Sequence, residues 1–455
     1  MEKTIAAIST APAPGGIGIV RISGGEAFAV AEKVFRGVSG KKVSQMKGYT
    51  AQLGGAYTPT GEKLDDVVAL VYRGPKSYTG EDVVELSCHG GLYMTKRLLQ
   101  LVMDAGAAPA GPGEFTRRAF LNGKMDLAQA EAVMGLISAS GEQARKAALA
   151  GSTGVLSRKI ESIKQGLLEQ AAHLAAWADF PEEDVPQVEE AALLEGIRQG
   201  EKVLEELLQG FDRGRMYREG LVTVIAGRPN AGKSTLMNLL SGCQRSIVTQ
   251  YAGTTRDVVE ETVMVAGVPL RLADTAGIRD TDDPVESIGV QAARQRLETA
   301  QLVLAVFDSS QALEKEDWEL MDALEKVPAI AIVNKSDLPT RMDVEAIQGR
   351  FEKTVSLSAA TGEGLAALEQ TLSEILDTKD FHPQEGVLFT QRQRMDAQTA
   401  LDSLREGEQA LVLGLTLDAV TVCVEDALHA LAALTGEQVS EEIVDRVFEE
   451  FCVGK

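Results

Sequence analysis

The spacing of apolar and polar positions changes several times along the chain and divides it into segments. Between residues 1 and 118, short apolar runs such as 17–22, 66–72 and 83–87 alternate with stretches of helical spacing, and Gly-containing turns separate them. This mixture predicts an α+β domain. From residue 119 to 216 the spacing is helical, apart from the Pro-containing segment near 180–186, which predicts an all-α domain.

Strand-like and helical runs alternate between residues 217 and 379, as in a doubly wound, mostly parallel sheet. Residues 380–455 return to helical spacing. Because a domain insertion joins its host at neighbouring chain ends, we expect the two helical segments to form one domain. The predicted fold class is therefore multidomain: an N-terminal α+β domain, an all-α helical domain, and an inserted Ras-like α/β P-loop domain.

Residues 227–234 read GRPNAGKS, a complete phosphate-binding loop. An apolar run precedes it and a helical pattern follows, which is the strand, loop and helix order that the motif requires. Backbone N–H groups at the helix N-terminus point at phosphate, Lys233 supplies a point charge, and the Ser234 hydroxyl can ligate Mg²⁺. The motif predicts nucleotide contacts from Asn230, Ala231, Gly232, Lys233, Ser234 and Thr235.

Four further motifs follow at suitable distances and predict that the nucleotide is GTP. In 274–277 (DTAG), Asp274 can hold Mg²⁺ through water and the Gly277 N–H can meet a γ-phosphate. In 334–337 (NKSD), the carboxylate of Asp337 can accept two hydrogen bonds from guanine that adenine cannot donate. In 253–257 (GTTRD), Thr255 can complete the metal shell and sense the γ-phosphate. The predicted contacts in these motifs, and in the loop 356–360 over the guanine O6, also include Thr275, Ala276, Asn334, Lys335, Ser358, Ala359 and Ala360.

Length and composition limit the possible classes of protein. A chain of 455 residues is too long for one core, and we expect roughly two to four domains. Folded sequence begins almost at once without a targeting peptide, and no apolar run reaches the ~18 residues of a membrane helix. The four cysteines are scattered, without CxxC spacing. These features predict a cytoplasmic protein with no membrane segment.

The net charge of −22 argues against broad, sequence-blind binding of nucleic acid. Residues 380–455 contain 5 Lys and Arg against 15 Asp and Glu. This acidic segment suits a basic protein partner, or it is a solvated helix face, and the sequence leaves both interpretations open. We expect any RNA contact to be local and shared with another protein.

Four separated blocks, together with the GTPase motifs, resemble the MnmE (TrmE) family of tRNA modification GTPases over essentially the whole chain. One block combines 4–10 with 15–24, the next two span 78–91 and 112–132, and the last is the Cys-x-Gly-Lys ending. One departure is visible. The family usually has a Pro-Gly-Arg-Gly-Gly loop near the start, whereas residues 13–16 read APGG, so a contact from that arginine is not expected here.

The resemblance implies an N-terminal domain that forms a homodimer and binds 5-formyl-tetrahydrofolate. It also implies a partner, the FAD-containing protein MnmG, in a heterotetramer or larger complex that binds tRNA. Together they add a carboxymethylaminomethyl or aminomethyl group to carbon 5 of the wobble uridine. The folate-binding residues of the family match Arg21, Glu85, Lys124 and Lys455. Cys452, in the same ending, is interpreted as a packing or folate-pocket thiol, since no histidine or basic cluster is adjacent in the sequence to activate it.

The resemblance also suggests how GTP is hydrolysed. Ile278 stands where Ras-like GTPases carry a water-orienting glutamine, and the family uses K⁺ where an arginine finger would otherwise act. Glu286 matches the residue that orients the attacking water, although a carboxylate favoured by a helix N-terminus is the alternative. Residues matching the K⁺ ligands are Asn230, Thr249, Tyr251 and Thr254. The Mg²⁺ ligands are Ser234 and Thr255, and Gln250, Ala252 and Gly253 complete the GTP contacts.

A second class of function is a regulatory or ribosome-assembly GTPase that binds RNA without one-carbon chemistry. Such proteins share the phosphate loop, its asparagine and the missing glutamine. They typically carry an appended RNA-binding module, which the sequence after residue 379 does not indicate. The N-terminal blocks and the C-terminal motif favour the tRNA-modifying function.

Overall fold

The computed structural model describes residues 3–179, 190–243, 261–272, 300–375, 382, 385–449 and 451–455. The chain divides into two compact units. The first comprises Met1–Met134, Ser157–Gly200 and Met395–Lys455, and the second comprises Gly135–Leu156 and Glu201–Arg394. Within the described residues, each unit contains one β-sheet.

The first sheet has seven strands in the order β3-β4-β5-β6-β2-β1-β7. Its neighbours are antiparallel except for the parallel pair β1 and β7. The strands are β1 Ile5–Ile8, β2 Ile17–Ser23, β3 Phe35–Gly37, β4 Thr50–Tyr57, β5 Lys63–Tyr72, β6 Val83–His89 and β7 Ala108–Pro109. A short 3₁₀ helix spans Val43–Gln45.

Alternation along these strands gives the sheet two different faces. One face packs against helices α1 (Ala27–Val34) and α2 (Leu92–Asp104) and forms the core of this domain. The other face carries Arg21 directly opposite Glu85, with Leu70 next in register. The sheet therefore places one candidate cation beside one candidate carboxylate, although 64 positions separate them.

Helices of 8 to 30 residues lie between and after the two sheets. They are α3 Glu114–Leu121, α4 Leu127–Ile137, α5 Glu142–Ser152, α6 Val155–Asp179, α7 Glu190–Glu219, α12 Gln391–Val412, α13 Leu417–Thr435 and α14 Glu441–Glu449. The last helix docks through Phe448, whose ring lies 6.3 Å from that of Phe120 and 5.0 Å from that of Phe451. Leu127 belongs to the same cluster. This apolar contact brings the C-terminus to the start of the helical region.

The described part of the second sheet has six strands in the order β13-β12-β11-β8-β10-β9, all parallel except the pair β9 and β10. Its strands are β8 Leu221–Ala226, β9 Glu261–Val265, β10 Val268–Leu272, β11 Leu302–Asp308, β12 Ala329–Asn334 and β13 Lys353–Ser356. The helices are α8 Lys233–Cys243, α9 Lys315–Ala323, α10 Val344–Gln348 and α11 Leu365–Ile375.

Strand β11 lies near the middle of this sheet and is buried at every position but its last. Such continuous burial is typical of a parallel strand covered on both faces. Together the α+β sheet domain, the helical region and this Ras-like α/β domain confirm the predicted fold class. Within the described residues, no helix is long and apolar enough to cross a membrane.

Candidate functional site

The phosphate loop runs from the end of β8 to the start of α8 and depends on glycine at its close approaches. Gly232 has a φ of 100°, and a Cβ there would lie 2.1 Å from Nδ2 of Asn334. Glycine is the residue that meets both conditions, since it tolerates positive φ and has no side chain to clash. The motif thus forms the expected turn into the helix N-terminus.

Two polar side chains of this loop are predicted to contact a triphosphate. Asn230 is exposed with a φ of 61°, and its amide forms no hydrogen bond to the described part of the chain. Lys233 donates to the carbonyl oxygens of Gly227 (2.8 Å) and Arg228 (2.7 Å). Its ammonium therefore lies within the loop, where phosphate oxygens can replace those carbonyls. Ser234 and Thr235 are exposed in the first turn of α8.

Asn334 links the phosphate loop to the loop after β13. It is 2% exposed, its Nδ2 donates to the Ala231 carbonyl (2.8 Å), and its Oδ1 accepts from the Ala359 N–H (2.9 Å). A residue predicted to contact GTP therefore holds together two loops around the nucleotide site. Asp337 is exposed, and its Oδ1 accepts a hydrogen bond of 2.6 Å from the Ser358 hydroxyl. Ala360 is exposed in the same loop.

Lys335 pairs with a carboxylate that the sequence motifs did not indicate. Its Nζ lies 2.6 Å from Oδ2 of Asp308, at the end of β11. The backbone φ of Lys335 is 62°. Burial alone raises the pKa of Asp308, but hydrogen bonds from Lys335 and Ser310 outweigh it and hold that pKa below its ordinary value. The carboxylate is therefore charged and holds the lysine side chain at the end of β11.

Part of the predicted site lies outside the described residues. These residues are Thr249, Gln250, Tyr251, Ala252, Gly253, Thr254, Thr255, Asp274, Thr275, Ala276, Gly277 and Glu286. Of the predicted metal ligands, only Ser234, predicted for Mg²⁺, and Asn230, predicted for K⁺, are among the described residues. Both are exposed oxygen-bearing side chains at the phosphate loop, and their chemistry fits these cations.

Arg228 anchors the phosphate loop to helix α9, a role that the sequence motif did not reveal. Its guanidinium lies 2.9 Å from Asp317 and 2.9 Å from Glu314. The Asp317 carboxylate, whose side chain is 7% exposed, raises the pKa of the guanidinium further above its ordinary value. Arg228 also offers its carbonyl to the Ala231 N–H (3.3 Å) and to Lys233. The ion pairs thus fix the backbone of Arg228, whose carbonyl oxygen accepts a hydrogen bond from Lys233, the predicted phosphate ligand.

We expect Arg228→Met to destabilise this domain by about 2 kcal/mol, because it leaves the buried Asp317 carboxylate without its cation. Urea unfolding of the full chain measures this change. Lys315→Met is the matched control, since the Lys315 side chain is 86% exposed and its pair with Glu319 lies at the surface. If both variants have the same free energy of unfolding, the Arg228–Asp317 ion pair does not stabilise this domain.

A polar cluster separate from the phosphate loop lies on the first sheet, around Arg21. Nε and Nη2 of Arg21 each lie 2.9 Å from Oε1 of Glu85, and the two side chains are 17% and 14% exposed. The guanidinium stands 5.5 Å from the ring centre of Phe115 and 5.9 Å from that of Tyr78. These aromatic faces favour the cation and orient it. Neither ring was identified from the sequence, which shows no signal of this approach.

The C-terminus is fixed beside this pair. The Phe115 N–H donates to the Lys455 carbonyl (3.2 Å), and the Ser9 hydroxyl donates to the Gly454 carbonyl (3.1 Å). Arg21 reaches the same Gly454 oxygen at 3.4 Å. Burial lowers the pKa of Lys455, and the charge of Arg21 lowers it further while Glu85 opposes both. Residues at a chain end are ordinarily mobile, but Lys455 is held in a defined position within this cluster.

Three of the four residues predicted to bind folate therefore come together in the structure. The fourth, Lys124, donates through Nζ to the carbonyl of Pro75 at 3.0 Å. The other carboxylate oxygen of Glu85, Oε2, receives a long hydrogen bond of 3.4 Å from the Tyr72 hydroxyl. The cluster can offer positive charge to carboxylates and a carboxylate oxygen to N–H donors.

Comparisons with known proteins cover the whole chain. The model of the MnmE helical domain matches residues 127–452, and that of the GTP-binding protein TrmE N-terminus matches residues 4–124. The tRNA modification GTPase MnmE of Symbiobacterium thermophilum is 44% identical over 457 residues, and that of Alkaliphilus oremlandii is 42% identical over 459; both alignments cover 100% of each chain. Among solved structures, the G domain of the T. maritima FeoB iron transporter is 25% identical, covers 34% of this chain and 97% of its own, and has a TM-score of 0.26.

Proposed function

This chain belongs to the tRNA modification GTPase MnmE family and is a GTP hydrolase acting in tRNA modification, and from that premise we propose how its two sites work. Hydrolysis depends on K⁺ and is coupled to dimerisation of the G domains. With the FAD-containing partner MnmG, the protein adds a carboxymethylaminomethyl or aminomethyl group to carbon 5 of wobble uridine in certain tRNAs. The one-carbon unit comes from a formyl-tetrahydrofolate.

The GTP site is proposed to combine described and undescribed residues. Asn230, with Thr249, Tyr251 and Thr254, would hold K⁺, while Ser234 and Thr255 would hold Mg²⁺. When bound, K⁺ supplies positive charge where negative charge develops between the phosphates. The exposed amide of Asn230 and the ammonium of Lys233 support this arrangement, since both stand at the phosphate loop. Glu286 is proposed to orient the attacking water.

One observation carries the proposal for the folate site: Lys455, at the very end of the chain, lies beside the Arg21–Glu85 pair in the N-terminal domain. Hydrogen bonds and an apolar cluster hold it there, although more than three hundred positions separate it from the sheet. Cations suit the glutamate carboxylates of a folate, and Glu85 suits the N–H donors of its pterin. Lys124, on the neighbouring loop, is proposed as a further contact to the tail.

The assembly follows the family in the same proposal. The protein is a homodimer through residues 1–118, and residues 119–216 with 380–455 form one helical domain into which a G domain of residues 217–379 is inserted. MnmG joins it in a heterotetramer or larger complex, and tRNA binds through that complex in the cytoplasm. The acidic segment 380–455 supports a basic protein surface as the counterpart.

We expect the full chain to bind 5-formyl-tetrahydrofolate in a calorimetric titration, and Arg21→Gln to weaken that binding at least tenfold, because a charged hydrogen bond is worth about 1.5–3 kcal/mol. Lys96→Gln is the matched control, since Lys96 is an exposed cation on α2 of the same domain. A native protein that gives no heat would favour the alternative function, a regulatory or ribosome-assembly GTPase without one-carbon chemistry.

A further inference from the structure

Tyr49 has a backbone conformation that is rare for an aromatic residue. Its φ is 60°, in the left-handed region, and the residue is 65% exposed. Such a conformation costs free energy at any residue except glycine, and burial of the ring does not offset that cost here. Strained positions of this kind cluster at ligand sites, which makes the surroundings of Tyr49 informative.

The ring of Tyr49 extends the cluster around Arg21. Its backbone N–H donates to the Val71 carbonyl at 2.7 Å, which fixes the residue beside the end of β5. Its ring meets that of Tyr72 edge to face, with centres 5.5 Å apart and planes at 84°. Tyr72 in turn donates its hydroxyl to Oε2 of Glu85. A continuous series of contacts therefore joins the exposed ring to the Arg21–Glu85 pair.

The two oxygens of Glu85 are used unequally. Oε1 accepts both contacts from Arg21 at 2.9 Å, whereas Oε2 has the 3.4 Å contact with Tyr72. A carboxylate oxygen accepts more than one hydrogen bond, so Oε2 can take a shorter one from a ligand N–H. A ligand bonded there would lie next to the two tyrosine rings.

We propose that Tyr49, supported by Tyr72, is a stacking residue of the N-terminal site and packs against the planar 2-amino-4-oxopyrimidine ring of a pterin whose N–H group donates to Glu85. This inference rests on the proposed folate function and adds the aromatic surface that would fix the orientation of the ligand. An aromatic face stacks on a flat heterocycle without regard to its substituents, and the carboxylate then selects the edge that carries N–H donors. This role explains why a strained tyrosine stands at position 49. Glycine would adopt the left-handed backbone without strain, but it has no ring to stack on the ligand.

The test is a calorimetric titration of the full chain with 5-formyl-tetrahydrofolate, with three variants at this position. Tyr49→Leu and Tyr49→Gly are expected to weaken binding roughly tenfold, and Tyr49→Phe to remain within about twofold, because the phenyl ring keeps the stacking. Tyr49→Gly should also raise the melting temperature, since glycine relieves the strain. Tyr93→Leu, which removes a tyrosine that is 72% exposed in the same domain, should change neither quantity.

The outcomes separate this inference from the function on which it rests. If the native protein does not bind the folate, the proposed function fails and the stacking role fails with it. If the native protein binds and Tyr49→Leu binds equally well, only the stacking role is wrong. If Tyr49→Leu instead shifts the sedimentation of the protein while folate affinity is unchanged, the ring packs against a second copy of the chain and the inference is overturned.

Discussion

Replacing Asn230 with alanine is expected to lower GTP hydrolysis in K⁺ by about 100-fold and to leave the slow rate in Na⁺ nearly unchanged. Asn230 stands on the phosphate loop with its amide exposed and without a hydrogen bond to the described residues. An amide oxygen in that place is a suitable ligand for a monovalent cation, and alanine removes it. Phosphate release measured in KCl and in NaCl, at equal ionic strength, gives the two rates.

Two further variants separate the lost ligand from a distorted loop. Asn230 has a φ of 61°, which alanine adopts less readily than asparagine or glycine, so Asn230→Gly removes the amide without backbone strain. Asn238→Ala, on the exposed side of α8, is the control for the loss of an amide elsewhere. Equal turnover of the native protein in both salts would exclude the role of K⁺. Full stimulation of Asn230→Gly by K⁺ would exclude Asn230 as its ligand.

The phosphate loop could be predicted from the sequence because its structure is local. Gly227, Gly232 and Lys233 lie in one short loop between a strand and a helix. Both glycines have a positive φ and lack a side chain that would clash, and Lys233 donates to the backbone of the same loop. The apolar run that precedes the loop predicted β8 correctly for the same reason. Local patterns thus predicted the described phosphate loop and the strand before it.

Other features could not be predicted because they depend on distant pairings. The role of Asn334 as a brace requires the end of β12 to meet both the phosphate loop and the loop after β13, which only the parallel sheet brings about. The anchoring of Arg228 by helix α9 joins positions 89 residues apart. The conformation of Tyr49 has no signature in the sequence at all, since its φ is positive although the residue is not glycine.

Recognition of the guanine base is expected to depend on the Asp337 carboxylate. Exchange of Asp337 for asparagine is expected to change the preference between GTP and XTP by about 10⁴-fold in favour of XTP, because a site built to pair with specific donors rejects a ligand that lacks them. The guanine N1–H and 2-amino group need two acceptor oxygens. Asparagine offers one acceptor and one donor, which match the N1–H and the C2 carbonyl of xanthine. Competition titrations with GTP, XTP and ATP measure the three affinities.

The structure supports this exchange without a change of fold. The Asp337 carboxylate is exposed, and the Ser358 hydroxyl, which donates to its Oδ1 at 2.6 Å, can donate equally to an amide oxygen. Asp322→Asn is the control, since Asp322 is an exposed carboxylate of the same domain, paired with Arg350 at the surface. Asn334→Ala should differ from both, because loss of the brace between two loops weakens GTP and XTP alike. A chain with Asp337→Asn that still prefers GTP would mean that the guanine edge is recognised by another group.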